Sequence, residues 1–199
     1  MLSLEEIIKL LKNIRINFRN RNNVYIEYHL EFYTFFGETT NDEKLLNKLW
    51  CLKSIFIIQN KYSESFLQMK NKQYYSAWCL LGEIEGIYKS LQRIYYNEFD
   101  EYSINFIYRY TKKFQKFFPY PLFLSPEIHV KKYRCSICGK TYTFKKNCEH
   151  KVGKLYNGKM CHKVIEDCEM TSISFVKDPV QKYSVVFPED DNHYNECSE

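Results

Sequence analysis

The densest chemistry in the chain lies between Tyr133 and Cys161, in the segment YRCSICGKTYTFKKNCEHKVGKLYNGKMC. Cys135 and Cys138, followed at once by Gly139, make a tight knuckle that turns two thiolates into one space. Cys148 and His150 stand two residues apart, so on an extended segment they face the same side. Three thiolates and an imidazole are a donor set that zinc takes in four-coordinate sites. Cys161 is an alternative to His150 as fourth ligand, or a neighbour packed beside the site. Four protein ligands close the coordination shell, so the expected role of one zinc per chain is structural. In a small module with little core of its own, such an ion supplies much of the folding free energy.

The same module is one-sided in charge. From Lys131 to Lys163, ten basic residues face only Glu149, with Tyr133, Tyr142, Phe144 and Tyr156 interleaved. Basic side chains neutralise phosphates and aromatic rings stack on bases. Lys131, Lys132, Arg134, Lys140, Lys145, Lys146, Lys151 and Lys154 are therefore candidate nucleic-acid contacts. The plainer reading is a solubilised metal module whose aromatics fill a minimal core. The recognition helix of a two-Cys, two-His finger has no counterpart here. A hydrolytic enzyme is the least supported reading: no glycine-rich phosphate loop, HExxH or nucleophile-elbow motif occurs. His162, Glu166 and Asp167 lie close in sequence, with nothing to fix them in a working geometry.

The elements that must position this module divide at the prolines, all five of which fall between Pro119 and Pro188. Residues before that point read as helices. Ser3 and Glu6 form a capping-box pair ahead of Leu4, Ile7, Ile8, Leu11 and Ile14 at helical spacing. Val24 to Phe36 is expected to be helical and to stop at Gly37. Thr40-Asn41-Asp42-Glu43 repeats the capping-box pattern before a long helix bearing Leu45, Leu49, Leu52, Phe56 and Phe66. The next helix carries Tyr74, Ala77, Trp78, Leu81, Ile84, Tyr88, Leu91 and Tyr95, and the short polar link MKNKQYY makes the two an antiparallel hairpin. Asn97 is expected to cap a last helix with Phe99, Phe106, Ile107, Tyr110, Phe114 and Phe117.

PYPLFLSPE then reads as an extended strap across the bundle. Asn157-Gly158 between Leu155-Tyr156 and Lys159-Met160 is a favoured hairpin turn. Ser172–Val176 and Tyr183–Phe187, on either side of KDPVQK, are expected to pair with each other. Cys51 and Cys79 lie in apolar helical patterns beside Trp50 and Trp78 and read as buried small hydrophobes. Glu5, Glu6 and Lys9 stand where a signal peptide needs an apolar core, and no apolar run reaches membrane-spanning length. The expectation is a cytoplasmic protein with reduced, metal-binding thiols.

The last third of the chain resembles zinc-knuckle segments of phage and bacterial proteins, some linked to phage head maturation. The matching residues are Cys135-Ser136-Ile137-Cys138-Gly139, Cys148-Glu149-His150, Gly153, Tyr156-Asn157-Gly158 and Cys161. Some members of that group carry a serine-protease core, which would point to His150 or His129 with Ser174. That activity is not carried over, because a helical bundle stands where the β-rich core would be.

The sequence thus predicts an α+β protein in four parts. Residues 1–118 form an antiparallel helical bundle, 119–134 a proline-containing strap, 135–188 a zinc-binding β module, and 189–199 a flexible acidic tail. The expected function is a non-enzymatic, adaptor-type interaction with a protein partner through the aromatic bundle. Nucleic-acid binding through the basic module is the alternative.

Overall fold

The computed structural model of the chain describes residues 2–13, 23–94, 99–118, 120–143, 148–179 and 181–187. Ile14, Tyr95, Asn97, Phe144, Lys145, Lys146 and the acidic tail 189–199 lie outside them. The fold is α+β, with helices N-terminal and strands C-terminal. The helices are α1 (Leu4–Lys12), α2 (Asn23–Thr39), α3 (Glu43–Lys70), α4 (Tyr74–Gln92) and α5 (Ile104–Gln115). A 3-10 turn, Phe99–Tyr102, precedes α5. The strands are β1 (Phe123–Cys135), β2 (Leu155–Tyr156), β3 (Lys159–Met160) and β4 (Lys163–Val176).

α1 starts as its sequence dictates: Glu6 N–H donates to the Ser3 hydroxyl while Ser3 N–H donates to the Glu6 carboxylate. Its apolar stripe buries Ile7 and Leu11. The 28-residue α3 is the spine. It buries Leu49, Leu52, Ile55, Phe56, Ile58 and Tyr62 against Leu81, Ile84, Tyr88 and Leu91 of α4. Gln59 is fully enclosed and uses its amide: Nε2 donates to Leu11 O at 2.8 Å and Tyr102 O at 3.1 Å. One side chain thereby satisfies the end of α1 and the 3-10 turn, both of which leave carbonyls without helical partners.

Several helix boundaries differ from expectation. The last helix, α5, leaves Phe99 in the 3-10 turn ahead of it and stops at Gln115, short of Phe117. Gly37 does not end α2, which continues to Thr39. A Cβ at Gly37 would sit 2.9 Å from Leu46 Cδ2, so the glycine serves close approach to α3, a packing role that looks like a stop signal in sequence. The cap of α3 is Asp42, whose carboxylate accepts from Leu45 N–H at 2.9 Å. Thr40 turns its hydroxyl back to Phe36 O instead, closing α2. Two good cap formers stand two residues apart, and the one at the start of the apolar stripe does the capping.

The larger correction concerns the strands. Ser172–Val176 pairs with the strap, not with Tyr183–Phe187. The strap is itself strand β1, and β1 and β4 run antiparallel from Phe123↔Val176 to Cys135↔Lys163 as a two-stranded ribbon. Val185 bridges to Phe123 on the other edge, with Leu124 N–H donating to Ser184 O. A sequence reading favours neighbours, and this pairing crosses the whole metal module. Phe123 is buried against Trp78 near the start of α4, its ring stacked at 5.7 Å, and Trp78 Nε1–H donates to Lys182 O. Cys135 is buried at the other end, and most of the ribbon between is exposed.

Candidate metal centre

The knuckle forms where β1 ends. Gly139 takes a φ of +71°, a left-handed turn that lets Gly139 N–H donate to Cys135 O at 2.9 Å. Cys135 N–H donates to Lys140 O at 2.9 Å, closing the loop from outside. Ile137 N–H points at Cys135 Sγ from 3.4 Å. The result brings Cys138 back beside Cys135. On the returning chain, Asn157 (φ +47°) and Gly158 (φ +72°) make the β2–β3 hairpin turn, as the Asn-Gly pair predicts. Gly153 N–H donates to Cys161 O and Cys161 N–H to Lys154 O, both at 2.8 Å, so Cys161 is fixed behind the cluster.

The hairpin tip is docked on the first turns of α3. Gly158 N–H donates to Asn47 Oδ1 at 2.8 Å and Asn157 N–H to Glu43 Oε1 at 3.3 Å. Gly158 lies so close to the helix that an added Cβ would be 3.1 Å from Leu46 O. On the knuckle side, Ser136 N–H donates to His162 O at 3.1 Å, and His162 N–H returns to the Ser136 hydroxyl at 2.9 Å. A cleft of about 420 Å³ lies between the knuckle and α3, lined by Trp50, Ile137, Met160 and His162 among others.

This scaffold brings Cys135, Cys138, Cys148 and His150 together: one donor atom from each lies within 4.8 Å of all the others, close enough to bind a metal ion. Cys135 is buried, Cys148 and His150 half-buried, and Cys138 faces solvent. Burial alone would push the Cys135 thiol up. The Cys138 and Ile137 backbone N–H groups and the neighbouring thiols outweigh it and bring the group down to about 6. Cys138 moves the other way: despite the Lys140 N–H, burial and the adjacent Cys135 and Cys148 raise it. Cys161 Sγ is 3.9 Å from Cys135 Sγ and fully buried, but it stands outside the four-member cluster. Burial and Cys135 raise its thiol.

A second observation fits a cation. His150 Nδ1 is buried and has no hydrogen-bond partner among the described residues. A buried imidazole nitrogen without a partner carries a desolvation cost that a bound metal removes. The ring is held edge-on against Tyr156 at 4.7 Å, and Tyr156 in turn accepts from Lys151 N–H at 2.9 Å. The Tyr142 oxygen lies 3.9 Å from Cys148 Sγ, and burial together with the adjacent thiols pushes that hydroxyl up. Sequence reasoning took Tyr142 and Tyr156 as stacking or core residues. Their place beside the ligands was foreshadowed only by being six residues from a ligand on either side.

The basic residues are less available than their count suggests. Lys131 pairs with Glu169, Lys132 with Glu166 at 3.0 Å, and Arg134 with the same Glu166 at 3.4 Å. The acidic residues come from β4, just past the window that looks one-sided in sequence. Lys163 lies over the rings of Tyr133 and Tyr142, at 5.3 and 5.5 Å. Lys140, Lys151 and Lys154 are exposed around the knuckle. Glu166 is thus an ion-pair partner, while His162 Nδ1 faces Met160 O at 3.2 Å. His129 and Ser174 sit on different rungs of the ribbon, opposite Glu169 and Ser125. Compared with family models, curated proteins and solved structures, the chain matches none. No helix among the described residues is long and apolar enough to cross a membrane.

Proposed function

We propose that the chain is an interaction protein of the adaptor type whose C-terminal module is stabilised by one structural zinc ion. Cys135, Cys138, Cys148 and His150 would hold the ion, and the thiolate-rich set favours zinc over hard cations that seek oxygen. Bound there, the metal supplies cross-linking of the knuckle to the returning chain. The Tyr142 hydroxyl lies 3.9 Å from the Cys148 sulfur and could donate to it once that sulfur is held as a thiolate.

The observation that carries the interaction reading is the outer face of α2. Tyr25, Tyr28, Phe32, Phe35 and Phe36 follow one another at helical spacing and remain exposed, Phe35 at 65%. Contiguous aromatic surface of that kind marks contact sites far more often than scattered single residues do. The ion pairs of Lys131, Lys132 and Arg134 leave the nucleic-acid alternative with a reduced charge footprint.

Elemental analysis of untagged protein tests the metal assignment. About one zinc per chain, removed by a strong chelator only as the C-terminal module unfolds, is the expected result. A metal-free protein that resists proteolysis equally with and without chelator would refute it. For the interaction, a Phe32→Lys/Phe35→Lys variant should lose a cross-linked protein partner that wild type retains, with zinc content unchanged. Nucleic acid that co-purifies and is released at high salt would favour the alternative.

A further inference from the structure

The β1–β4 ribbon has one polar and one apolar face. Cross-strand partners share a face, and the rungs Leu124/Phe175, Pro126/Ile173, Ile128/Met170 and Val130/Cys168 are apolar. The rungs between them, Ser125/Ser174, Glu127/Ser172 and His129/Glu169, are polar. On β4 the apolar residues change parity, from 173 and 175 to 168 and 170. A register shift opposite Glu127/Ile128 leaves Thr171 as the extra residue and returns both sets to the same face. Four apolar rungs in a row are therefore built, with a bulge spent on aligning them.

Nothing among the described residues covers this face. Phe175 is 66% exposed, Met170 64%, Ile173 56%, Ile128 43% and Leu124 38%. An isolated two-stranded ribbon is marginal in water, and a sheet face of this composition needs a second layer. The chain's own C-terminal residues are a poor candidate: from 189 to 199 they read EDDNHYNECSE.

We propose that this face is the contact between two copies of the chain, packed ribbon on ribbon. Area and composition both favour that occupant. With a large apolar residue fully exposed at roughly 200 Å², the eight side chains leave on the order of 600 Å² open per copy. Two such faces would bury about 1,200 Å², the lower edge of the range for stable protein interfaces. The stripe holds no charged residue, whereas contacts between independently stable partners are only a little over half apolar; the excess belongs to interfaces between identical subunits. A two-fold axis sets the stripe against itself with its own spacing, and the product is a two-layer, four-stranded sandwich with sheets about 10 Å apart. This assignment is separate from the α2 surface and from the metal ligands.

The test is sedimentation of the zinc-loaded full chain over a concentration series, with zinc content measured on every sample. Wild type should pass from monomer to dimer. Phe175→Glu removes a large apolar contact twice per dimer and should weaken the association at least about 100-fold. Ser174→Lys, on the polar face, and Phe35→Lys, on α2, should leave it unchanged. Wild type that stays monomeric to several hundred micromolar overturns the proposal. So does a dimer that Phe175→Glu leaves intact or that Phe35→Lys dissociates.

A second measurement needs no variant. The exposed Cys168 thiol lies on this face, so its alkylation rate by a maleimide, followed by peptide mapping, should fall as the protein dimerises. A rate independent of concentration across the dimerisation range overturns the assignment of the face.

Discussion

Replacing Gly158 by alanine tests how the metal module is held to the bundle. Two costs fall on the new methyl group. Gly158 has a φ of +72°, where a residue with a Cβ loses about 1–2 kcal/mol relative to glycine. The methyl would also meet Leu46 O at 3.1 Å and Leu46 Cβ at 3.2 Å, both on the rigid first turn of α3. Crowding of that kind adds about 1–3 kcal/mol, because the helix backbone cannot give and the hairpin must lift. The expected destabilisation is therefore about 2–5 kcal/mol. For a chain of this size, that corresponds to a fall in Tm of roughly 5–15 °C.

Gly153→Ala is the internal reference. Its φ is +84°, yet the nearest atom to an added Cβ is Arg93 Cδ at 3.8 Å, an ordinary contact. It should show the backbone cost alone, about 1–2 kcal/mol. Thermal unfolding by circular dichroism, paired with hydrogen exchange of the Gly158 amide, reads both variants. Equal losses for the two alanines, or a Gly158 amide that exchanges freely in wild type, would refute the docking of the hairpin on α3.

Three further outcomes follow from contacts already described. Cys138→Ser should abolish stoichiometric zinc and expose the last third of the chain to protease while most of the helical circular dichroism persists; an unchanged digestion pattern would sink the structural-zinc assignment. Gln59→Ala removes the buried amide that donates to the Leu11 and Tyr102 carbonyls and opens a cavity, and should cost about 2–4 kcal/mol in urea unfolding. A loss under 1 kcal/mol would mean that water reaches those carbonyls. Asp42→Ala should cost about 1 kcal/mol through the lost cap of α3, and Thr40→Ala clearly less. The reverse order would restore Thr40 as the cap.

What was legible in the sequence was whatever depended on local rules. The capping box at Ser3, the long α3–α4 hairpin, the Asn157-Gly158 turn and the gathering of Cys135, Cys138, Cys148 and His150 all follow from spacing within a few residues. Cys51 is likewise buried as its apolar surroundings suggested, with its thiol pushed up to about 11 by burial, whereas Cys79, read the same way, is only half-buried. The failures are non-local. Gly37 reads as a helix stop because glycine usually is one, and only the presence of Leu46 shows why it sits inside α2. The partner of Ser172–Val176 was missed because it lies on the far side of the metal module. That error also hid the neutralisation of Lys131, Lys132 and Arg134, since their acidic partners are brought in by the same pairing. The bulge at Thr171 concealed the apolar face by breaking the alternation that would have announced it.

The ribbon also has a mechanical consequence. One abutment is Phe123 on Trp78, near the start of α4; the other is the knuckle and hairpin on the first turns of α3. In an antiparallel helix pair these points are about 30 Å apart by helical rise, whereas thirteen residues of strand reach about 40 Å. A fully extended ribbon would overreach that separation, and the three register shifts along β1 are where bending can take up the difference. With a metal ion cross-linking the knuckle, the ribbon would be clamped at both ends. Freed at the knuckle, it would be a tether rooted chiefly at the Phe123 end, where Trp78 and Val185 hold it. On the proposed metal assignment, occupancy of the Cys135, Cys138, Cys148 and His150 cluster would set the stiffness of the whole span, at a distance from the four residues placed to hold the ion.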